Sequence, residues 1–276
     1  MNLATIIGFV LGLGLISYAS YAAAADAGLS IMKLWSGISL LIVVGGALAA
    51  TAIAFKLSEV LSIFKNLKRL ISDNPYSPAD IVKDFISLAE SHKKGELQKS
   101  LESPPESMAF RLKTSQIGCE YVAGGYKKDV IVDILENMEE NRAIREERQA
   151  NVMKTMGEYT PAFGMIGTLI GLVLMLAGMG GGGAETAPGA VPEDPAAKLG
   201  ASMAIALITT LYGSIFANFI FLPFAAKLEG ISENKEVESA LILEGVKLLY
   251  DKTHPILMRD KLNAFLESKD RILDEE

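Results

Sequence analysis

The chain has 276 residues, half of them hydrophobic, with a formal net charge of −7 and a mean hydropathy of +0.30. That hydropathy is high for a water-soluble chain of this length. Its single cysteine, Cys119, excludes an internal disulfide, and His92 and His254 stand too far apart to suggest a metal site. The sequence carries no nucleophile–base pair, phosphate loop or metal set, so neither an enzyme nor a cofactor is expected, and no nucleic-acid partner either.

In chain order, the apolar residues fall into blocks. Leu3–Ala25, Leu34–Phe55, Tyr159–Ala184 and Leu199–Ala226 contain no Asp, Glu, Lys, Arg or His. Each exceeds the roughly 20 residues an α-helix needs to cross hydrocarbon. The expected fold is all-α: a polytopic membrane protein with four transmembrane helices and a helical cytoplasmic domain. Ala22–Ala25 after an apolar run would suit a signal-peptide cleavage site. No Lys or Arg precedes that run, the first being Lys33, so the segment is read as a retained first span.

Spans one and two form a hairpin through Asp26–Met32, a transmembrane unit over residues 1–56. The apolar spacing of Ala54–Lys65 is helical and predicts that span two continues beyond the membrane. Asn74–Pro78 breaks that helix, with Ser77 capping the next one, Pro78 at its first position and Asp80 in its first turn. Residues 57–156 form a cytoplasmic helical domain, in which Val82, Phe85, Ile86 and Ala89, then Ile131, Ile134, Leu135 and Met138, recur at helical spacing. Ser103–Pro105 and Gly124–Gly125 interrupt it. The mixed-charge run Glu136–Arg148 reads as a solvated helix face, Glu139 pairing with Arg142 and Arg142 with Glu146. It leads without a breaker into span three, which predicts one long helix. Residues 157–228 form the second transmembrane hairpin, joined by a flexible loop from Gly180 to Pro195. Residues 229–276 are a helical cytoplasmic tail with a frayed acidic end at Leu273–Glu276.

Basic residues set the orientation. Lys56, Lys65, Lys68 and Arg69 follow span two, and Lys227 and Lys235 follow span four, against Lys33 and Lys198 alone in the other two connectors. Both termini and the long middle block are therefore expected in the cytoplasm.

Spans three and four carry hydroxyls and glycines. Gly164, Gly167, Thr168 and Gly171 share one face of span three, with Gly167 and Gly171 as a GxxxG pair. In span four Ala206, Thr210, Ser214 and Asn218 follow at i+4, beside a stripe of Thr209, Gly213 and Ala217. Such stripes suit tight helix packing or a lined ion route, and the residues leave both open. A hydroxyl oxygen can replace water around a cation but does not titrate near neutral pH. An ion route through these spans would need an acid from a partner. Pro161 and Pro223, at the inner ends of the two spans, are either hinges or plain helix-end prolines.

The chain resembles the MotA/PomA family, the larger subunit of bacterial flagellar stators. The resemblance covers nearly the full length. It is densest in Met1–Gly8, Leu41–Gly46, Pro161–Leu172 and Met203–Pro223. The family implies five copies of this chain around two copies of a single-span MotB/PomB-type partner, which carries an essential membrane aspartate and a peptidoglycan-binding domain. It also implies a bacterial inner-membrane location and a conducted cation, sodium or proton, whose flow drives the rotor protein FliG. Carried over by motif, Thr168 and Thr210 look like the hydroxyls near the partner's aspartate, with Thr209 beside them; Asn218 joins this ion pathway from its own spacing, deeper along the stripe. Pro161 and Pro223 look like the paired prolines that couple ion movement to cytoplasmic rearrangement. Glu158 falls where relatives often have an acid near the inner mouth. For the rotor contact the resemblance points to Lys93 or Lys94 as the basic partner and Glu102 as the acidic one, with Glu96 a rival, since the spacing here is slightly wider. Several relatives have an Asp where this chain has Ser36, which weakens an external ion-attracting role there, although Asp26 could substitute.

Two other readings compete: the related ExbB/TolQ energisers of outer-membrane processes, and a membrane scaffold without an ion route. The paired N-terminal spans favour the stator family, because ExbB/TolQ proteins usually have three spans. The threonine pattern matches sodium-driven relatives and also occurs in proton-driven ones.

Overall fold

The structure, a computed structural model, describes residues 3–61, 77–102, 113–180 and 195–273. The expected breaks at Asn74–Tyr76 and Ser103–Pro105, most of the loop before Pro195 and the last three residues lie outside these. The described residues contain helices and turns and no strand. Among the described residues, four helical stretches are long and apolar enough to cross a membrane: Ile6–Asp26, Ile31–Ala54, and parts of Lys128–Met179 and Leu199–Tyr250. By contacts the chain divides into two units, Met1–Asp73 with Arg148–Leu228, and Asn74–Glu147 with Glu229–Glu276.

In the first unit α1 (Leu3–Asp26) closes with Gly28 at φ 65°, where Leu29 N–H returns to Ala24 C=O at 2.8 Å. A left-handed residue there lets the last carbonyls find donors, and glycine takes that conformation without a Cβ clash. Span two is not one smooth helix. A 3₁₀ turn (Ile31–Leu34) gives way to extended backbone at Trp35 and Ser36, and then to α2 (Gly37–Leu40), a π-turn (Leu41–Gly45) and α3 (Gly46–Ala54).

The expected continuation of span two is interrupted at Phe55 and Lys56, and its far end, residues 62–65, lies outside the described residues. Phe55 is extended (φ −127°, ψ 159°), and a new helical turn starts at residue 57, with Lys56 N–H donating to the Glu59 carboxylate at 3.3 Å. Lys56 and Glu59 thus form a local start signal that competes with continuing the helix. A two-residue interruption leaves the apolar spacing looking helical, which hid it.

The second unit begins with α4 (Pro78–Lys93), capped as the sequence predicts: Ser77 N–H donates to the Asp80 carboxylate at 2.8 Å. Short α5 (Leu97–Glu102), α6 (Lys113–Ala123) and the Gly124–Gly125 turn follow. From α7 (Lys128–Gly180) the unit takes the first turns, up to Glu147. α7 runs 53 residues without a break, the single long helix that the uninterrupted charge run foretold. The end of α9 (Leu222–Tyr250) and α10 (Pro255–Asn263) complete the unit. Val82, Phe85 and Ala89 of α4 are buried with Ile131, Leu135, Leu241, Ile242, Leu249, Met258 and Leu262 in one apolar core. Cys119 sits in this core, its thiol pushed up to about 12 first by burial and then by Glu120. It is a packing residue rather than a reactive one.

Candidate functional site: the seam between spans three and four

Span three is the later part of α7. Span four is α8 (Pro195–Ile215), a π-turn (Phe216–Phe221) and the start of α9. Their contact is built on missing side chains. A Cβ on Gly164 would sit 3.1 Å from Thr209 C=O and 3.4 Å from Gly213 Cα. One on Gly171 would meet Ser202 C=O at 2.9 Å, and one on Gly213 would meet Thr160 C=O at 3.1 Å. The backbones therefore approach as closely as the small-residue pattern allows.

The hydroxyls divide into two kinds. Thr209 is fully buried; its hydroxyl donates to Ala206 C=O at 2.7 Å, and its methyl lies 2.5 Å from where a Cβ on Gly167 would be. It belongs to the packing seam. Thr210, one residue on, is exposed, and its hydroxyl is 2.6 Å from that of Thr168. Thr168 Oγ1 also donates within reach of Gly164 C=O and Ala206 C=O, each at 3.1 Å. The sequence placed Thr209 beside the pair; the structure puts it behind. Asn218 is exposed within the π-turn, its amide donating to Ser214 C=O at 2.9 Å. Glu158 is exposed. Among the described residues the two apolar spans hold no acid or base, so what the two threonines offer chemically is a pair of neutral oxygens.

Both prolines sit at the same end of the seam, the end away from the segment that joins the two spans. Pro161 lies inside α7, and its Cα is 3.3 Å from the place a Cβ on Gly213 would take. Four residues earlier Gly157 is covered by the side chain of Leu222, the residue before Pro223. Proline has no N–H and its ring crowds the carbonyl four residues back. The π-turn just ahead of Pro223 accommodates that crowding: Leu222 N–H reaches back five residues to Ala217 C=O. Sequence reading missed both the Gly157–Leu222 contact and the π-turn.

It also missed Tyr212. The phenol of Tyr212 donates to Leu34 C=O at 2.8 Å and accepts from Ser36 N–H at 3.2 Å. Ser36 in turn caps α2, its hydroxyl accepting from Ser39 N–H at 3.2 Å and from the Ser39 hydroxyl at 2.9 Å. The tyrosine within this span was the available signal, because a phenol taken partly out of water needs a partner.

In the second unit, Lys93, Lys94, Glu96 and Glu102 are all exposed around the α4–α5 corner, where Gly95 has φ 77°. Beside them His92 is pulled below its ordinary value by burial first and by Lys252 second, so the positive charge at this corner comes from lysines. The Glu136–Arg148 run is more than a solvated face. Glu139 receives hydrogen bonds from Thr114 of α6, Arg142 of its own helix and Ser239 of α9, and Lys235 of α9 pairs with Glu146. Burial works to raise the Glu139 carboxyl, but the hydrogen bonds from Ser239, Arg142 and Thr114 outweigh it and hold the group below the usual carboxylate range.

Residues 105–240 match the MotA/TolQ/ExbB proton channel family. The chain is 34% identical to motility protein A of Borreliella burgdorferi over 98% of its own length and 96% of the relative's. It is 30% identical to chemotaxis protein PomA of Vibrio alginolyticus over 99% of both chains. In fold it matches a chain of C. jejuni MotAB, with a TM-score of 0.82 at 21% identity and complete coverage of both chains. A chain of the flagellar MotAB stator complex from Bacillus subtilis gives 0.77 at 22% identity, covering 95% of this chain and 97% of that one. Matched over nearly its whole length by motility protein A and by PomA, the chain belongs to the MotA/PomA family.

Proposed function

We propose that this chain is the larger subunit of a flagellar stator, which joins a single-span MotB/PomB-type partner to conduct a cation, sodium or proton, and converts the flow into torque on the rotor. The observation that carries the reading is the exposed Thr168–Thr210 hydroxyl pair, 2.6 Å apart in two spans that hold no acid. Its oxygens can replace part of a cation's water shell, and the titrating group comes from the partner's membrane aspartate. Asn218 extends the route inward toward Glu158. Thr209 supports the pair from behind by filling the space at Gly167. Pro161 and Pro223, locked through Gly157, Leu222 and Gly213, pass the change to the cytoplasmic helices. Lys93, Lys94, Glu96 and Glu102 supply the charges that meet the rotor protein FliG.

In this reading five copies surround two copies of the partner in the bacterial inner membrane, with both termini cytoplasmic. The ExbB/TolQ alternative is weaker, because the match to motility protein A and PomA runs through both N-terminal spans. The match shared with TolQ and ExbB covers only residues 105–240. The test is motility of Thr168→Ala, Thr210→Ala and the double variant, measured as swimming speed against sodium concentration and against membrane potential. Reduced speed with an altered ion response is expected. Normal motility in all three would sink the assignment, and the wild-type response to sodium removal decides between the two cations.

A further inference from the structure

Span two begins with a fault in its backbone. Trp35 (φ −91°, ψ 119°) and Ser36 (φ −139°, ψ 109°) are extended between the 3₁₀ turn and α2, so helical pairing is interrupted there. In hydrocarbon an interrupted backbone persists only where other groups satisfy it. Tyr212 does this with one oxygen, donating to Leu34 C=O and accepting from Ser36 N–H. A phenol, being both donor and acceptor, suits the task; a phenylalanine does not.

Tyr212 stands two residues after Thr210, about 200° further round the helix at roughly 100° per residue. One side of α8 therefore meets Thr168 through Thr210, while the other is fastened to the head of span two. Span three also meets α8 through close packing at Gly164, Gly167, Gly171 and Gly213, the methyl of Thr209 and the hydrogen bond from Thr168 to Ala206 C=O, whereas Tyr212 holds α8 to span two. We infer that Tyr212 is a positioning residue for the ion pathway: by bridging Leu34 and Ser36 it fixes the rotation of α8, and so the aim of the Thr210 hydroxyl at Thr168. The inference rests on the ion role proposed for that pair.

Tyr212→Phe keeps the ring and deletes the bridge. The variant is expressed with its partner subunit in motile cells, and swimming speed is followed in a sodium titration at fixed pH and in a pH titration, with membrane levels checked by immunoblot. The half-saturating ion concentration is expected to rise about fivefold, the effect of roughly one lost hydrogen bond, while speed at saturating ion is retained. In a Thr210→Ala background the same change should add no further shift, because the residue acts through Thr210. Tyr212→His, whose ring N–H can still donate, should fall between wild type and Tyr212→Phe. If Tyr212→Phe fails to accumulate, the half-saturation of Tyr212→His decides instead. A lowered plateau with unchanged half-saturation would mean the phenol merely holds the fold, and a full additional shift in the Thr210→Ala background would mean it acts elsewhere; either overturns the inference. If the threonine variants themselves leave the ion response unchanged, the pathway reading fails, a result the single variants separate from failure of the Tyr212 bridge.

Discussion

Adjacent residues in one helix can have opposite fates, and Thr209 and Thr210 illustrate why. They stand about 100° apart on α8, enough to place one inside the seam and the other outside it. Sequence spacing gives their relative angle but not the absolute rotation of the helix, which depends on which side the neighbouring span approaches. That is why the residue types of this site were legible and the roles of neighbours were not. The glycines sharpen the point. Gly167 is needed because a Cβ there would lie 2.5 Å from Thr209 Cγ2, whereas Gly178 has open space around it. Gly167→Ala should destabilise the span-three/span-four contact by about 1–3 kcal/mol. Gly178→Ala should be neutral or slightly stabilising, as helical Gly→Ala changes are. Thermal unfolding of the two purified variants in detergent, followed by circular dichroism, would measure the difference; equal melting temperatures would contradict the packing argument.

Among the elements, those with local signals were the readable ones. The start of α4 follows from Ser77, Pro78 and Asp80, all within one turn. The π-turns, the fault at Trp35–Ser36 and the stop at Phe55 were hidden, because each keeps the apolar pattern while changing the backbone. The charged run of α7 was half legible. Pairing of Arg142 with Glu139 and Glu146 is a helix-spacing rule, but Ser239 and Lys235 arrive from α9 about a hundred residues later. This network predicts a pH dependence. The Glu139 carboxyl is lowered on folding, so its contribution is fully present above the ordinary carboxylate value of about 4.3 and is lost as pH falls through the depressed one. Glu139→Gln should therefore be less stable than wild type at neutral pH, by about 1–3 kcal/mol. The gap should close in acid. Melting curves of the full chain in detergent at pH 7 and below pH 4 test this; a gap that widens in acid would be the wrong sign.

For the molecule as a whole, the four spans were legible because bilayer thickness imposes a length that few soluble helices reach. The core of the second unit was only partly so: its members Phe85, Leu135 and Leu249 are far apart in sequence and meet only in the fold. Orientation rests on Lys and Arg counts, which predict both ends of the chain on the cytoplasmic side. A fluorescent protein fused after Glu276 should fold and fluoresce, and alkaline phosphatase at the same place should be inactive. The opposite pair of results would invert the topology.

The π-turn at Leu41–Gly45 has a practical consequence for anyone altering this gene. A π-turn is an α-helix carrying one residue too many, so span two holds a spare position. Removing a single residue there would let the segment relax to ordinary helix without rotating its two flanks against each other. Ser36 would still meet Tyr212 on one side, and Gly46 would still receive Phe163 on the other. The same deletion in α3 ahead of Thr51 would swing everything beyond it by about 100° and pull Thr51 out of its buried place. Tolerance of length change in this span is thus confined to one turn, and a scan of single-codon deletions would find it there.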